Sequence, residues 1–315
     1  MYLSFYGLKE EPFQLTPDPR FVHLAEPHRD SLVALLGGII KRKGILLLTG
    51  PVGTGKTTLL HTVLEILVQK LTGNERIASA LIVNPTLTRD EFLETMLDEF
   101  EVACPHTSKP KRMAALIEML HQYQARGSTS VLIVDEAHLL TPELLQEIRL
   151  LSNLDVYREK LLQIVLCGQP ELLKVVGSPE MAAIRQRIAV RRELRSLSQS
   201  ETQAYIMQRL HYAGLRGNSP FTNSAVEAVH KYSRGVPRVI NLLCDGALEK
   251  GFQSKSSNVG PDLVYDVALG LDVIDVSQPK AEEAVAGNAR RSGTPLEILS
   301  QALREARQAA GGSDE

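Results

Sequence analysis

The chain has 315 residues, of which 43% are apolar and 23% charged, with a formal net charge of −2. Those values allow a packed domain of ordinary size plus a smaller companion, and they exclude a chain that is disordered throughout. They also exclude a global basic field that would draw the chain to nucleic acid or anionic lipid, while leaving a local basic patch open.

Residues 1–10 lack the basic-then-apolar pattern of a signal peptide, and no apolar run approaches the roughly 18 residues needed to cross a bilayer. The cysteines, Cys104, Cys167 and Cys244, are odd in number and far apart, without metal-ligand spacing. A reduced, cytoplasmic setting is expected, with action at the inner face of a membrane left open.

The first thirty residues concentrate five aromatic rings (Tyr2, Phe5, Tyr6, Phe13, Phe21) and four prolines (Pro12, Pro17, Pro19, Pro27). That density predicts an irregular segment strapped onto a domain. A helix follows over about 29–40. Five short apolar runs come next, at 44–49, 80–83, 131–135, 162–167 and 188–194. Between them lie helical patterns at 56–71, 89–100, 112–126 and 141–154. Such alternation predicts a parallel sheet with helices on both faces. From Ser198 the pattern is purely helical: 200–213, 222–233, 237–252 and 262–269. Residues 277–293 are polar and read as disordered, and a last short helix is expected to begin at Thr294, with Pro295 and Glu297 in its first turn. The expected organisation is a strap over 1–30, a core over 31–197, an all-helical lid over 198–272 and a polar tail over 273–315.

The sharpest motif is Gly50-Pro51-Val52-Gly53-Thr54-Gly55-Lys56-Thr57, followed by Thr58. It fits G-x-x-x-x-G-K-[ST] and stands between an apolar strand and an amphipathic helix, the setting the motif requires. Glycines let backbone N–H groups curl around a phosphate, and the helix start favours an anion. Lys56 would set a point charge on the β- and γ-phosphates, and the Thr57 hydroxyl is a hard oxygen for Mg²⁺.

The run Val131–Val134 ends in Asp135 and Glu136. Carboxylates at the carboxyl end of a parallel strand open onto the ligand crevice. Asp135 is expected to hold Mg²⁺ and Glu136 to polarise the attacking water, on a strand next door to the one feeding the glycine loop. Asp135-Glu136-Ala137-His138 also spells the box of a helicase class. Those helicases need a second motor domain of similar size, and after Leu197 no strand-rich stretch remains to build one.

Gln169, just past the fourth run, would sit between the acidic pair and the γ-phosphate, although a plain turn glutamine fits equally. Arginines crowd positions 185, 187, 191, 192 and 195. Arg187 is the first choice, and Arg185 the second, for a guanidinium that reaches a neighbouring subunit's phosphates; a solvated basic face or a nucleic-acid contact is the competing reading. Gly235-Val236-Pro237-Arg238 opens a helix whose Arg238 would reach a nucleotide or lie at the surface.

In this order the motifs resemble those of AAA+ ATPases over about residues 30–270. More narrowly, Phe5-Tyr6-Gly7-Leu8, Pro12-Phe13, Pro17-Asp18-Pro19-Arg20-Phe21, Gly168-Gln169-Pro170-Glu171-Leu172, Gln186-Arg187-Ile188 and Gly235–Asn241 are similar to the ExeA-type group, the general secretion pathway protein A family. The resemblance implies a five-stranded parallel P-loop core of the AAA+/ASCE kind with a helical lid. It implies ATP with Mg²⁺, a site built on Lys56, Thr57, Asp135 and Glu136, and nucleotide sensing by Gln169 and Arg238. It also implies an N-terminal segment near the adenine. A homo-oligomer, ring or otherwise, serving a secretion, pilus or polysaccharide-export complex is the first functional expectation. A DNA-associated ATPase similar to transposition regulators is the second. Secretion members typically continue into a transmembrane helix and a peptidoglycan-binding domain, where this sequence continues into its polar tail.

Overall fold

The computed structural model describes residues 2–16, 25–70, 77–105, 108–156 and 159–271. The Pro17–Phe21 part of the opening motif, the polar tail and the short helix expected after Thr294 lie outside the described residues. The chain divides into two compact units, one spanning Glu26–Arg195 and the other joining the residues up to Ala25 to those from Ser196 onward.

The first unit is an α/β layer structure. In chain order it comprises α1 (Glu26–Ile40), β1 (Ile45–Thr49), α2 (Lys56–Lys70), β2 (Ile77–Ile82), α3 (Arg89–Glu99) and α4 (Lys109–Ala125). It continues with β3 (Thr129–Val134), α5 (Pro142–Leu151), a two-stranded ribbon of β4 (Asp155–Val156) and β5 (Glu159–Lys160), β6 (Leu162–Gly168), α6 (Glu171–Gly177), α7 (Ala182–Arg185) and β7 (Ile188–Glu193). Five strands form one sheet in the order β2-β3-β6-β1-β7, with every pairing parallel.

The central strands β1 and β6 are buried along their whole length. Both faces of the sheet are covered, which is why these strands read as continuous apolar runs instead of alternating ones. One face carries Ile45, Leu47, Leu132, Val134, Ile164 and Leu166 into a core with Phe92, Met96, Leu116, Leu120, Leu145 and Ile148 from α3, α4 and α5. On the other face α1 presses its backbone close to the sheet at Gly38, where a Cβ would meet Leu46 Cδ2 at 2.3 Å. A larger residue there would force the Leu46 side chain to move.

Helix starts follow local chemistry. Thr88 caps α3 with a full capping box to Glu91, and Thr141 caps α5 by accepting from the Leu144 N–H, with Pro142 in the first turn. Such caps are worth about 1 kcal/mol each. α1 begins at Glu26, three residues before the apolar periodicity becomes visible.

The second unit is all helical apart from its N-terminal strap: α8 (Gln199–Tyr212), α9 (Asn223–Ser233), α10 (Pro237–Gln253) and α11 (Pro261–Gly270). The strap belongs to this unit. Tyr6, Leu8 and Phe13 enter its core beside Ile206, Leu210, Ile240, Leu243 and Val264. Phe13 meets Phe221 edge-on at 6.1 Å between ring centroids. Burying a ring of that size contributes about 1.5–3 kcal/mol. Hydrogen bonds fix the strap as well: Tyr2 Oη donates to Asp245 Oδ1 (2.5 Å), Tyr6 Oη to the Ser256 carbonyl (2.9 Å), and the Lys9 N–H to the Ala213 carbonyl (2.7 Å). Burial, then the Asp245 carboxylate, pushes the Tyr2 hydroxyl far above the ordinary phenol range.

Candidate active site

The carboxyl ends of β1, β3 and β6 bring three sequence segments together. The glycine loop runs from the end of β1 into α2. Gly53 and Gly55 have φ of 79° and 92°, a conformation that side chains bearing a Cβ resist. Gly50 is constrained by space instead, since a Cβ there would lie 2.7 Å from the Leu194 carbonyl oxygen. Lys56 is 6% exposed, and its ammonium donates to the carbonyls of Gly50 (2.8 Å) and Pro51 (2.9 Å). Of its three donors, two are held by the loop, which aims the charge over it.

Thr57, at the first turn of α2, donates its hydroxyl to Asp135 Oδ2 at 2.7 Å. Asp135 is 2% exposed, and its Oδ1 accepts from the Glu136 N–H at 2.8 Å. The glycine-loop threonine and the first acid of β3 therefore share one spot, although their strands do not touch. The expectation that the acids stand on the strand next door to β1 is corrected here: β6 lies between β1 and β3. The reach is made across the tip of β6 by the loop and by the turn that follows β3.

Glu136 has φ 49° and ψ 34°, left-handed backbone that is unusual for a residue with a side chain. This conformation turns the chain sharply at the end of β3. The side chain is 41% exposed, yet its Oε2 is buried without a hydrogen-bond partner among the described residues.

Gln169 follows β6 and is anchored to His138, its Nε2 lying 3.0 Å from His138 Nε2. His138 Nδ1 in turn lies 3.3 Å from Glu136 Oε2. Burial pushes the Cys167 thiol, on β6 beside Asp135, well above its ordinary range; the Asp135 carboxylate adds to that shift and Lys56 opposes it. The thiol stays protonated and serves as packing beneath the site.

Two residues of this cluster were not singled out from sequence. His28, in the first turn of α1, puts Nε2 2.7 Å from the Thr54 carbonyl and packs against Gly55, bracing the loop. Nothing local marks it, because its partner is 26 residues away. His138 had a signal in the Asp-Glu-x-His spacing, which was read only as a helicase box.

The arginines separate. Arg187 precedes β7, and Ile188 aligns with Ile45, the first residue of β1. It thus stands at the end of the sheet opposite the glycine loop, about 16 Å away over five strand residues. It makes no side-chain hydrogen bond or ion pair among the described residues. Arg185 by contrast donates to the Gly177 carbonyl at 2.6 Å. Arg238 belongs to the helical unit, exposed in the first turn of α10. The turn before it demands glycine: Gly235 has φ 72°, and a Cβ would fall 1.9 Å from the Leu197 carbonyl oxygen.

Among the described residues there is no cluster of three or more His, Cys, Asp or Glu able to hold a metal by themselves, and no helix is long and apolar enough to cross a membrane. Mg²⁺ does not need such a cluster: it keeps several waters and takes one or two protein oxygens plus substrate phosphates. The hard-oxygen pair of Thr57 and Asp135 fits that requirement.

Residues 39–176 match the family model described as AAA domain. General secretion pathway protein A of Aeromonas hydrophila is 40% identical over 260 residues, which cover 82% of this chain and 46% of that protein. The chain thus spans under half the length of this relative. Among solved structures, a chain of Drosophila ORC bound to DNA superposes with a TM-score of 0.65 at 18% identity, covering 86% of this chain and 66% of its own. Cdc6p from Pyrobaculum aerophilum superposes at 0.63 with 19% identity, covering 84% and 71%. At such identities these two likenesses speak for the fold alone.

Proposed function

Because the chain carries an AAA+ ATPase domain homologous to general secretion pathway protein A, we propose that it is a homo-oligomeric motor or switch that hydrolyses ATP with Mg²⁺ to assemble or remodel a secretion, pilus or polysaccharide-export complex. The observation that carries the chemistry is the 2.7 Å contact between Thr57 and Asp135 beside the buried Lys56 ammonium. The pathway rests on the 40% identity to the secretion protein. The proposal includes a cytoplasmic location, at the inner face of the membrane that such a complex occupies.

Each residue has a role in this reading. Residues 50–58 enclose the phosphates, with backbone N–H groups offered from Val52 onward and at the start of α2. Lys56 balances their charge. Thr57 and Asp135 would hold Mg²⁺, which would supply charge neutralisation for the phosphates. Glu136 orients a water and accepts its proton as the water oxygen bonds to the γ-phosphorus and the bond to the β–γ bridging oxygen breaks, leaving ADP and phosphate. Gln169 contacts the γ-phosphate, and Arg238 senses the nucleotide from the helical unit. Arg187 works on a neighbouring subunit's nucleotide; its distance from the loop of its own chain and its lack of side-chain partners among the described residues favour that assignment over Arg185.

The test is Glu136→Gln. The variant is expected to bind ATP as wild type does and to hydrolyse it at least about 100-fold more slowly. Turnover near the wild-type rate would remove Glu136 from its role. A second reading, a DNA-associated ATPase, draws on the exposed arginines 185, 187, 191 and 192. It requires ATP-dependent binding to random duplex DNA that weakens steeply with salt; no binding at low salt with ATP present would discard it.

A further inference from the structure

The contact between Gln169 and Glu136 is indirect, and the residue between them has no role in the mechanism above. His138 sits in the tight turn after β3, its side chain 14% exposed. Gly168 allows that turn to press against the tip of β6, since a Cβ there would lie 2.9 Å from the His138 backbone nitrogen. The imidazole thereby meets Gln169 with one nitrogen and Glu136 with the other, at 3.0 and 3.3 Å.

The proton assignment follows from the neighbours. If the Gln169 amide donates to His138 Nε2, that nitrogen is the acceptor, and Nδ1 carries the proton toward the Glu136 carboxylate. The opposite tautomer would set an Nδ1 lone pair against a carboxylate oxygen, which is repulsive. The Gln169 backbone N–H also donates to Nδ1 at 3.5 Å, so a proton on Nδ1 turned to Glu136 would replace that long bond. The Nδ1 and Oε2 pair is close without being aligned as a hydrogen bond. Catalytic hydrogen bonds are commonly long or off-line before substrate binds and tighten afterwards.

We propose that His138 is a positioning residue that links Gln169 to Glu136, so that engagement of Gln169 by the γ-phosphate is transmitted to the orientation of the water-polarising carboxylate. This rests on the roles given above to Gln169 and Glu136. In the structure the Gln169 amide lies against His138, and the Glu136 carboxylate lies on the other side of the ring. A phosphate oxygen that takes the amide changes what the ring holds at Nε2, and with it the grip at Nδ1.

The experiment uses the full chain and measures ATP affinity, turnover at saturating ATP and thermal stability for His138→Ala, His138→Asn, Gln169→Ala and the double variant. Asparagine keeps a donor close to the Nδ1 position, so it is expected to restore much of the turnover that alanine loses. His138→Ala should reduce turnover by roughly 10- to 100-fold, the scale of a misoriented catalytic group, while ATP affinity changes less than about 3-fold. In the Gln169→Ala background, removing His138 should add less than about 2-fold, because the link is already broken. Turnover of His138→Ala within 2-fold of wild type would overturn the proposal. So would effects of the two single variants that multiply in the double. Joint loss of affinity, stability and turnover without rescue by asparagine would assign His138 to packing and overturn it too. Glu136→Gln, run in parallel, separates the cases: normal hydrolysis in that variant defeats the functional reading itself, while a dead Glu136→Gln beside a fully active His138→Ala defeats only the link.

Discussion

Lys56→Ala isolates what the glycine loop does for the nucleotide. Lys56 Nζ spends two donors on the Gly50 and Pro51 carbonyls, leaving one donor and the full charge for a phosphate. A charge-assisted hydrogen bond contributes about 1.5–3 kcal/mol. At about 1.4 kcal/mol per tenfold, the variant should bind ATP about 10- to 100-fold more weakly. Folding should change little: the variant forfeits two hydrogen bonds to the loop but no longer desolvates a buried cation, and these terms oppose each other. Thermal denaturation with and without ATP reads both effects. At ATP equal to about 100 times the wild-type dissociation constant, wild type gains about 2.7 kcal/mol from binding, and a variant weakened 100-fold gains about 0.4 kcal/mol. An ATP-induced stabilisation equal to wild type, in a variant that is folded, would refute the account of the loop.

Three other outcomes are expected. Arg187→Ala should keep ATP affinity and lose turnover, and mixing it with Lys56→Ala should restore activity if the guanidinium works between subunits; no recovery at any ratio would deny that arrangement. Gly235→Ala should destabilise the helical unit by roughly 3 kcal/mol or more, because the left-handed backbone and the approach to the Leu197 carbonyl leave no room for a methyl group; a urea midpoint close to wild type would contradict the turn. Burial raises the Cys167 and Cys244 thiols, so at pH 8 a thiol reagent should modify the half-exposed Cys104 first and reach the other two only on unfolding. Equal labelling rates by mass spectrometry would argue against that burial.

What the sequence made legible follows from how local each cause is. β1, β3 and β6 each carry a continuous apolar stretch because both faces are covered, so they stand out as runs. β2, an edge strand, is only partly buried, and its start at Ile77 was missed by three residues. The two-residue strands β4 and β5 are too short to carry a periodicity. The order of the strands was not legible at all: parallel neighbours are joined through helices, and no residue of β3 announces that β6 will stand between it and β1. At the site, the glycine loop and the acidic pair are contiguous motifs whose residue types state their chemistry. His28 and His138 take their meaning from partners 26 and 31 residues away, which only the folded chain supplies.

The strap has a consequence for how the protein is made. Tyr2 is translated 243 residues ahead of its partner Asp245. At about 5–20 residues per second this interval lasts about 12–50 s. Until α8 emerges, the rings of Tyr6 and Phe13 have none of their partner helices to close on, while the strands and helices from Glu26 to Arg195 emerge and can fold. The strap, translated ahead of both units, is thus among the last segments to find its place, and the growing chain carries unburied aromatic groups until α10 and α11 are out.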